Sequence, residues 1–384
     1  MIAGTVLLPN LTNIEKKRTI YVRTFTYAVE VVSIVPKYKI IEQTLIKELK
    51  SGKYNSGDKL PTEKELMERF EASRETVRKA LDRLAVKGII TRKPGVGTFV
   101  NLGKENHMVG IIVQQITSYI FPYIVFGAED YLFRNGYKML LGNASEDPNK
   151  EKQVIGEWIE SGVTGLIIDP VCSATKRANK EYVESLVKEG IKIVLVHSDW
   201  NINGTGSVVL DDSYGGKKAA EIFHQFGHKK VAVLYKSIHL PSVIRAKSFV
   251  ERANELGFEK IYEKSFNVSE FTGAPMQGSF ELLSLPKQLR PTAIFCYNDA
   301  TALQLQLVAK RLGLRIPEDV SVIGFDDAPL GDFRETLTTF AHPKEDVGKK
   351  AVDILLKMIH GGRAEKIILQ PELIERSSVS SPSE

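Results

Sequence analysis

Residues Gly57 to Val100 read GDKLPTEKELMERFEASRETVRKALDRLAVKGIITRKPGVGTFV, and local chemistry resolves them into two helices and a hairpin. Thr62 followed by Glu65 forms a capping box, in which the hydroxyl takes an orphan backbone N–H and the carboxylate reaches back to the cap. Leu66, Met67 and Phe70 share one face of the segment Glu63 to Phe70, which Glu71 and Ala72 break before Ser73 offers a second cap. Within Glu75 to Lys87, Val77, Ala80, Leu81 and Leu84 recur at three- and four-residue intervals. That spacing buries one stripe and leaves Arg74, Arg78, Lys79 and Arg83 for other faces. Gly88 ends the helix. Ile89 to Thr91 and Thr98 to Val100 are β-prone runs separated by Arg92 to Gly97, whose two glycines make a hairpin tip, a candidate wing. Upstream, Ile40, Ile41, Leu45, Ile46 and Leu49 space out a first helix over Tyr38 to Leu49.

Two short helices joined by a tight turn place the second in a DNA major groove, its N-terminal residues nearest the base edges. Ser73, Arg74, Thr76 and Arg78 occupy that end. Arginine can bind guanine O6 and N7 bidentately, while the hydroxyls suit phosphates or base edges. Lys37 and Tyr38, at the start of the first helix, are candidates for a phosphate. Taken alone, the pattern reads more plainly as a solvated charged helix face. The segments GDKLPTEKEL, SRETVRKAL and GVGTFV, however, resemble the three signatures of the GntR family of bacterial regulators, in that order and spacing. The resemblance implies a winged helix-turn-helix with DNA contacts at Lys64, Arg74, Thr76, Arg78 and the wing from Gly95 to Gly97. Glu75 departs from it, since many relatives carry a neutral or basic residue there.

Charge follows the same division. Residues 36–100 hold 15 Lys and Arg against 9 Asp and Glu, so positive charge gathers where DNA is expected. A chain of 384 residues has room for a separate large body beyond residue 100. The expected organisation is an N-terminal extension over 1–35, disordered or translated from a start assigned too far upstream of Val35; a DNA-binding domain over 36–100; a linker over 101–107; and an effector-binding and dimerisation domain over 108–384. No secretory signal is legible at Ile2 to Leu8, and no stretch approaches the roughly 20 apolar residues of a membrane span. Cys172 and Cys296 sit in apolar runs and read as buried free thiols in a reducing cytosol, so a cytoplasmic location is expected.

Beyond the linker, short apolar runs alternate with helical stretches. The strands are expected at Val109 to Val113, Lys138 to Leu141, Gly165 to Ile168, Lys192 to Val196, Ser207 to Leu210, Lys230 to Leu234, Ala293 to Cys296 and Val320 to Ile323. Such alternation implies parallel sheets covered by helices, and the length favours two sheets over one. In open α/β sheets a ligand sits beyond the carboxyl ends of the strands. The residues there are Thr117, Ser118, Tyr119 and Phe121 after the first run, Asp169 after the third, His197 after the fourth, and Asp211 and Asp212 after the fifth. Lys236 follows the sixth run, Asn298 and Asp299 the seventh, and Asp326 and Asp327 the eighth. Carboxylates accept from neighbouring hydroxyls, amides give and take, cations donate, and an aromatic face covers the apolar side of a sugar ring. Any single member is more often a turn or cap residue; their recurrence at strand ends raises the set.

The segments LDDSYGGKKAAEIFHQFGHKKVAVL (Leu210 to Leu234), AIFCYNDATAL (Ala293 to Leu303), VSVIGFDDAPL (Val320 to Leu330) and AHPKEDVGKKAVDILL (Ala341 to Leu356) resemble the effector core of the LacI/GalR regulators, itself similar to periplasmic sugar-binding proteins. That resemblance implies an α/β, two-lobed core. It also implies Asp211, Arg245, Asn298 and Asp326 as sugar ligands, with His197 where several relatives hold Asp. A GntR-type reader on a LacI-type core is similar to the arabinose-utilisation repressors, which implies L-arabinose as effector; a homodimer presenting two reading helices to two half-sites is expected to need a roughly palindromic operator. Another sugar, a purine or a sugar phosphate meeting Lys236 and Arg245 is the rival effector. A sugar-binding transport protein has the same core but has no use for residues 57–100. No metal-spaced Cys/His cluster or phosphate-cradling glycine loop is legible, so no catalytic residue, metal or cofactor is assigned.

Overall fold

The computed structural model describes residues 36–101, 107–117, 120–176, 178–267 and 273–383. The expectations for residues 1–35, for most of the linker, and for Ser118 and Tyr119 lie outside the described residues.

The first unit comprises α1 (Lys37–Lys50), α2 (Glu63–Phe70), α3 (Arg74–Val86), β1 (Ile90–Lys93) and β2 (Gly97–Val100). The capping box forms, with the Thr62 amide donating to Glu65 Oε2 at 2.6 Å and Thr62 Oγ1 accepting from the Glu65 amide. Glu71 turns the chain at φ 46°, and Ser73 caps α3. Ile41 and Leu45 of α1, Leu66 of α2, and Val77, Leu81 and Leu84 of α3 are fully buried together, with Ile90 and Val100 closing the core from the hairpin. Beside that core, the buried Glu42 of α1 takes Arg83 at 2.7 Å and Lys87 at 2.6 Å, pinning α1 to the far end of α3. The antiparallel pairing of Lys93 with Gly97 leaves Pro94 to Val96 as the wing tip.

The larger body has two lobes. Six strands, β3 (Met108–Val113), β4 (Lys138–Asn143), β5 (Gly165–Ile168), β6 (Lys192–Val196), β7 (Gly206–Leu210) and β13 (Lys366–Leu369), form a parallel sheet in the order β13-β7-β6-β5-β3-β4. Helices α4 (Phe121–Arg134), α5 (Pro148–Glu160), α6 (Lys180–Lys188) and α12 (Lys344–Ile359) belong to this first lobe. The second lobe is built on β8 (Lys230–Lys236), β9 (Lys260–Phe266), β10 (Ala293–Cys296) and β11 (Ser321–Ile323), parallel in the order β11-β10-β8-β9. Its helices are α7 (Asp212–Gln225), α8 (Leu240–Glu255), α9 (Ala274–Leu283), α10 (Asp299–Arg311) and the short α11 (Asp332–Thr336). An antiparallel ribbon of β12 (Thr339–Ala341) and β14 (Glu372–Ile374) completes it. The chain crosses between lobes after β7, after β12 and after β13, so the first lobe is assembled from two separated stretches.

Parallel strands buried on both faces read as apolar runs, and each of the eight expected strands is present. The edges are where expectation stops short. β9 (KIYEKSF), with its alternating charges, lies on the rim of its sheet, and its partner helix α9, the edge strand β13 and the ribbon were not foreseen. Cys172 and Cys296 are buried, and neither forms a disulfide among the described residues. Among the described residues no helix is long and apolar enough to cross a membrane.

Candidate functional site

At the N-terminal end of α3, Ser73, Arg74 and Arg78 are exposed, as is Lys64 on α2. One residue organises them. Glu63, at the first position of α2, accepts from Arg74 Nε at 3.0 Å and Arg78 Nε at 3.1 Å, and pairs with Arg92 of the wing at 2.5 Å. Desolvation opposes ionisation there, but the hydrogen bonds from Arg74 and Arg78 and the charges of Arg78 and Arg92 hold the Glu63 carboxyl below its ordinary range. Arg92 also pairs with Asp82. The face therefore gathers three guanidinium groups on one carboxylate, and Arg74 and Arg78 are exposed beside it. Glu63 went unread in the sequence because the capping box of Thr62 and Glu65 accounted for the acidic start of the helix. Ser73 and Thr76 are partly committed: the Ser73 hydroxyl accepts from the Thr76 amide and lies 2.8 Å from the Thr76 hydroxyl. Gly95 and Gly97 hold positive φ of 72° and 139° at the wing, and a side chain at Gly97 would strike Lys59. Lys37 and Tyr38 have internal roles. The Lys37 ammonium donates to the Glu71 carbonyl at 2.6 Å, and the Tyr38 ring lies under Lys79 and Arg83.

The second candidate site is the cleft between the lobes. From the first lobe come Gln114 and Gln115 after β3, Ile120 and Phe121 at the start of α4, Glu146 after β4 and His197 after β6. From the second come Lys236, His239, Pro241 and Arg245 around the start of α8, Tyr297 and Asn298 after β10, and Asp326 after β11; His342 joins them from a crossover.

Arg245 is the centre of the second-lobe wall. Its Nε donates to Asp212 at 2.7 Å and one terminal nitrogen to the Tyr297 carbonyl at 2.7 Å, while Asp326 lies 3.7 Å away. The guanidinium also stacks on the Phe325 ring at 3.4 Å. It reaches this position because α7 and α8 touch: a Cβ on Gly216 would collide with the Arg245 carbonyl and with Ser248. Burial raises the Asp212 carboxyl above its ordinary range, a cost that the Arg245 charge and hydrogen bond partly offset. On the opposite wall, His197, at φ 60°, sets its Nδ1 3.2 Å from Asp169 and its Nε2 3.0 Å from His342 Nε2. Burial and the nearby charges of His197, Lys344 and Arg245 press His342 well below the usual histidine range.

Of the residues expected to meet the effector, Phe121, His197, Lys236, Arg245, Asn298 and Asp326 line the cleft, and Asn298 additionally caps α10 through the Thr301 amide at 2.9 Å. Three others do not line it. Asp211 spends its carboxylate as the N-cap of α7, accepting from the Tyr214 amide at 2.9 Å, and the following Asp212 meets Arg245 instead. Asp169 is fully buried behind His197, accepting from Gln114 at 3.1 Å, and orients the ring from beneath. Asp299 points away, accepting from the Ala328 amide and the Thr339 hydroxyl at 2.7 Å each. Gln114, Glu146, His239 and His342 were missed. Gln114, Glu146 and His239 carried a signal, their place just beyond β3, β4 and β8.

A winged helix joined to a two-lobed cleft protein defines a ligand-responsive DNA-binding regulator. Residues 37–100 match the model for bacterial regulatory proteins of the gntR family, and residues 220–379 match that for periplasmic binding protein-like domains. The arabinose metabolism transcriptional repressor of Geobacillus stearothermophilus is 36% identical over 355 residues, covering 90% of this chain and 98% of that one. The repressor of the same name from Halalkalibacterium halodurans is 29% identical over 363 residues, covering 90% and 96%. A solved LacI family transcriptional regulator from Enterococcus faecalis V583, with bound ribose, superposes with TM-score 0.61 at 27% identity, covering 71% of this chain and 99% of that one. The chain belongs to the GntR-type repressors with a LacI-type effector core, the group that includes the arabinose metabolism repressors. It is a sugar-responsive DNA-binding repressor, and its named relatives are regulators rather than enzymes.

Proposed function

We propose that the protein binds a palindromic operator as a homodimer and is released from it by a neutral sugar, L-arabinose, held between the lobes. Charge balance carries the reading of the ligand class. Lys236 is paired with Glu146 at 2.6 Å and Arg245 with Asp212 at 2.7 Å, so among the described lining residues a phosphate ester meets no uncommitted ammonium or guanidinium. A sugar meets amide and carboxylate groups from Gln114, Asn298 and Asp326, with the Phe121 ring beside them. The choice of arabinose is supported by the two relatives named arabinose metabolism repressors. On the DNA side, Arg74 and Arg78 reach base edges, Lys64, Ser73 and Thr76 serve phosphates or neighbouring edges, and the wing at Gly95 and Gly97 lies alongside.

Thermal unfolding with L-arabinose, D-ribose, D-xylose, D-glucose and arabinose 5-phosphate tests the ligand. At 100 times its Kd a ligand stabilises the fold by about 2.7 kcal/mol, and L-arabinose is expected to do so at the lowest concentration. Preference for the phosphate ester would overturn the charge argument. Operator affinity is expected to fall roughly 5- to 150-fold with the bound sugar, and an affinity indifferent to every compound would remove the switch.

A further inference from the structure

Glu146 and Lys236 face each other across the cleft, one from each lobe. Glu146 lies beyond β4, the edge strand opposite the β7 and β13 edge from which two of the three crossovers leave. A bond at this rim acts on a long lever arm about those crossovers. Lys236 is buried and Glu146 half-buried, with side-chain exposures of 5% and 20%, and the separation is 2.6 Å. The backbone is built to hold the carboxylate there. Ser145 and Glu146 both sit at positive φ, 54° and 57°, a run that side-chain-bearing residues keep only where their surroundings over-determine it. Those surroundings are visible: the Glu146 amide donates to the Gln114 carbonyl at 3.1 Å, and Asn143 Oδ1 accepts from the Ile116 and Ser145 amides at 3.2 and 3.3 Å. Two hydrogen bonds from backbone amides close the same rim. The Ala174 amide donates to the Ile238 carbonyl at 3.1 Å, and the Leu240 amide donates to the Ser173 hydroxyl at 3.0 Å. All three cross-lobe links land on the segment 236–240.

We propose that Glu146 and Lys236 form a clasp that holds the lobes together at the rim and sets how readily the core closes, and thereby the sugar concentration needed to release DNA. They act as positioning residues. The ion pair biases the open–closed equilibrium before any ligand arrives, and the sugar draws on a partly populated closed state, so weakening the clasp raises the apparent Kd. The last step rests on the sugar-binding reading above; the first does not.

The Ala174 and Leu240 amides report closure directly, because each loses its partner when the lobes part. Hydrogen exchange of the peptides containing them, measured on the sugar-free full-length protein, tests the clasp without any ligand. Glu146→Gln and Lys236→Gln are each expected to speed that exchange roughly 3- to 30-fold, with the double variant no faster than either single one, since the partners share one interaction. The reversed pair Glu146→Lys with Lys236→Glu is expected to restore slow exchange. Unchanged exchange in both single variants, or additive effects in the double variant, overturns the clasp. With L-arabinose, both single variants are expected to need several-fold more sugar, and the reversed pair to recover. Direct sugar ligands would not recover on reversal, so lost binding that persists there also counts against the clasp. A wild-type protein that ignores L-arabinose counts against the sugar reading alone, because the ligand-free exchange still decides the clasp.

Discussion

Arg74 and Arg78 stand far from Asn298 and Asp326 in both place and task, so substitutions should separate two readouts. Arg74→Ala or Arg78→Ala is expected to weaken operator binding by about 1–3 kcal/mol, leaving sugar binding intact. Asn298→Ala or Asp326→Ala should do the reverse, with fluorescence anisotropy on operator DNA and calorimetry with sugar as the measurements. Arg245→Ala is a blunter probe, because it strands the buried Asp212 carboxylate and is expected to cost about 3–5 kcal/mol of stability. Asp299 supplies a pH test. Burial, then the Asp326 charge, pushes its carboxyl up from 3.8 to about 8. The folded chain therefore binds a proton that the unfolded chain has lost throughout that window, so this residue's contribution falls as pH rises from about 4 to about 8. Unfolding free energy by urea titration should show the decline at up to about 1.4 kcal/mol per pH unit, and Asp299→Asn should flatten it.

Elements decide what those residues can do. Glu63 ties the second helix, the recognition helix and the wing into one charged cluster. Glu63→Gln is expected to strengthen binding to unrelated DNA, since a negative charge leaves the face, while operator preference over unrelated DNA falls as Arg74 and Arg78 lose their alignment. Competition titrations at fixed salt give that ratio, and a ratio that holds or rises would show that the carboxylate does not orient them. In the core, Gly216→Ala is expected to destabilise by about 1–3 kcal/mol by forcing α7 from α8, and to weaken sugar binding because Arg245 rides on α8. Local signals made much of this legible. Caps, periodicity and turn glycines placed the reading helices to within a residue or two, and apolar runs located the buried strands. What escaped depends on partners distant in sequence. Of two adjacent carboxylates, backbone capping claimed Asp211, and helix contact turned Asp212 to Arg245. The Glu146 carboxylate finds its lysine 90 positions away.

At the scale of the whole molecule, function is a coupling between two bodies. The proposed dimer, with its two reading helices, would match half-sites about one helical turn apart, and changing that spacing by about 5 base pairs should then abolish tight binding while leaving each half-site intact. Electrophoretic mobility shifts on a spacing series measure it, and indifference to spacing would argue against a fixed pair of readers.

The threading of the lobes has a further consequence during synthesis. The winged helix is complete once Val100 has been made, whereas the first lobe lacks its edge strand until Leu369. At roughly 5–20 residues per second, a ribosome needs on the order of 13 to 55 s to cross that interval. For that time the growing chain holds every residue of its DNA-reading unit but not yet every strand of the lobe that would sense the sugar.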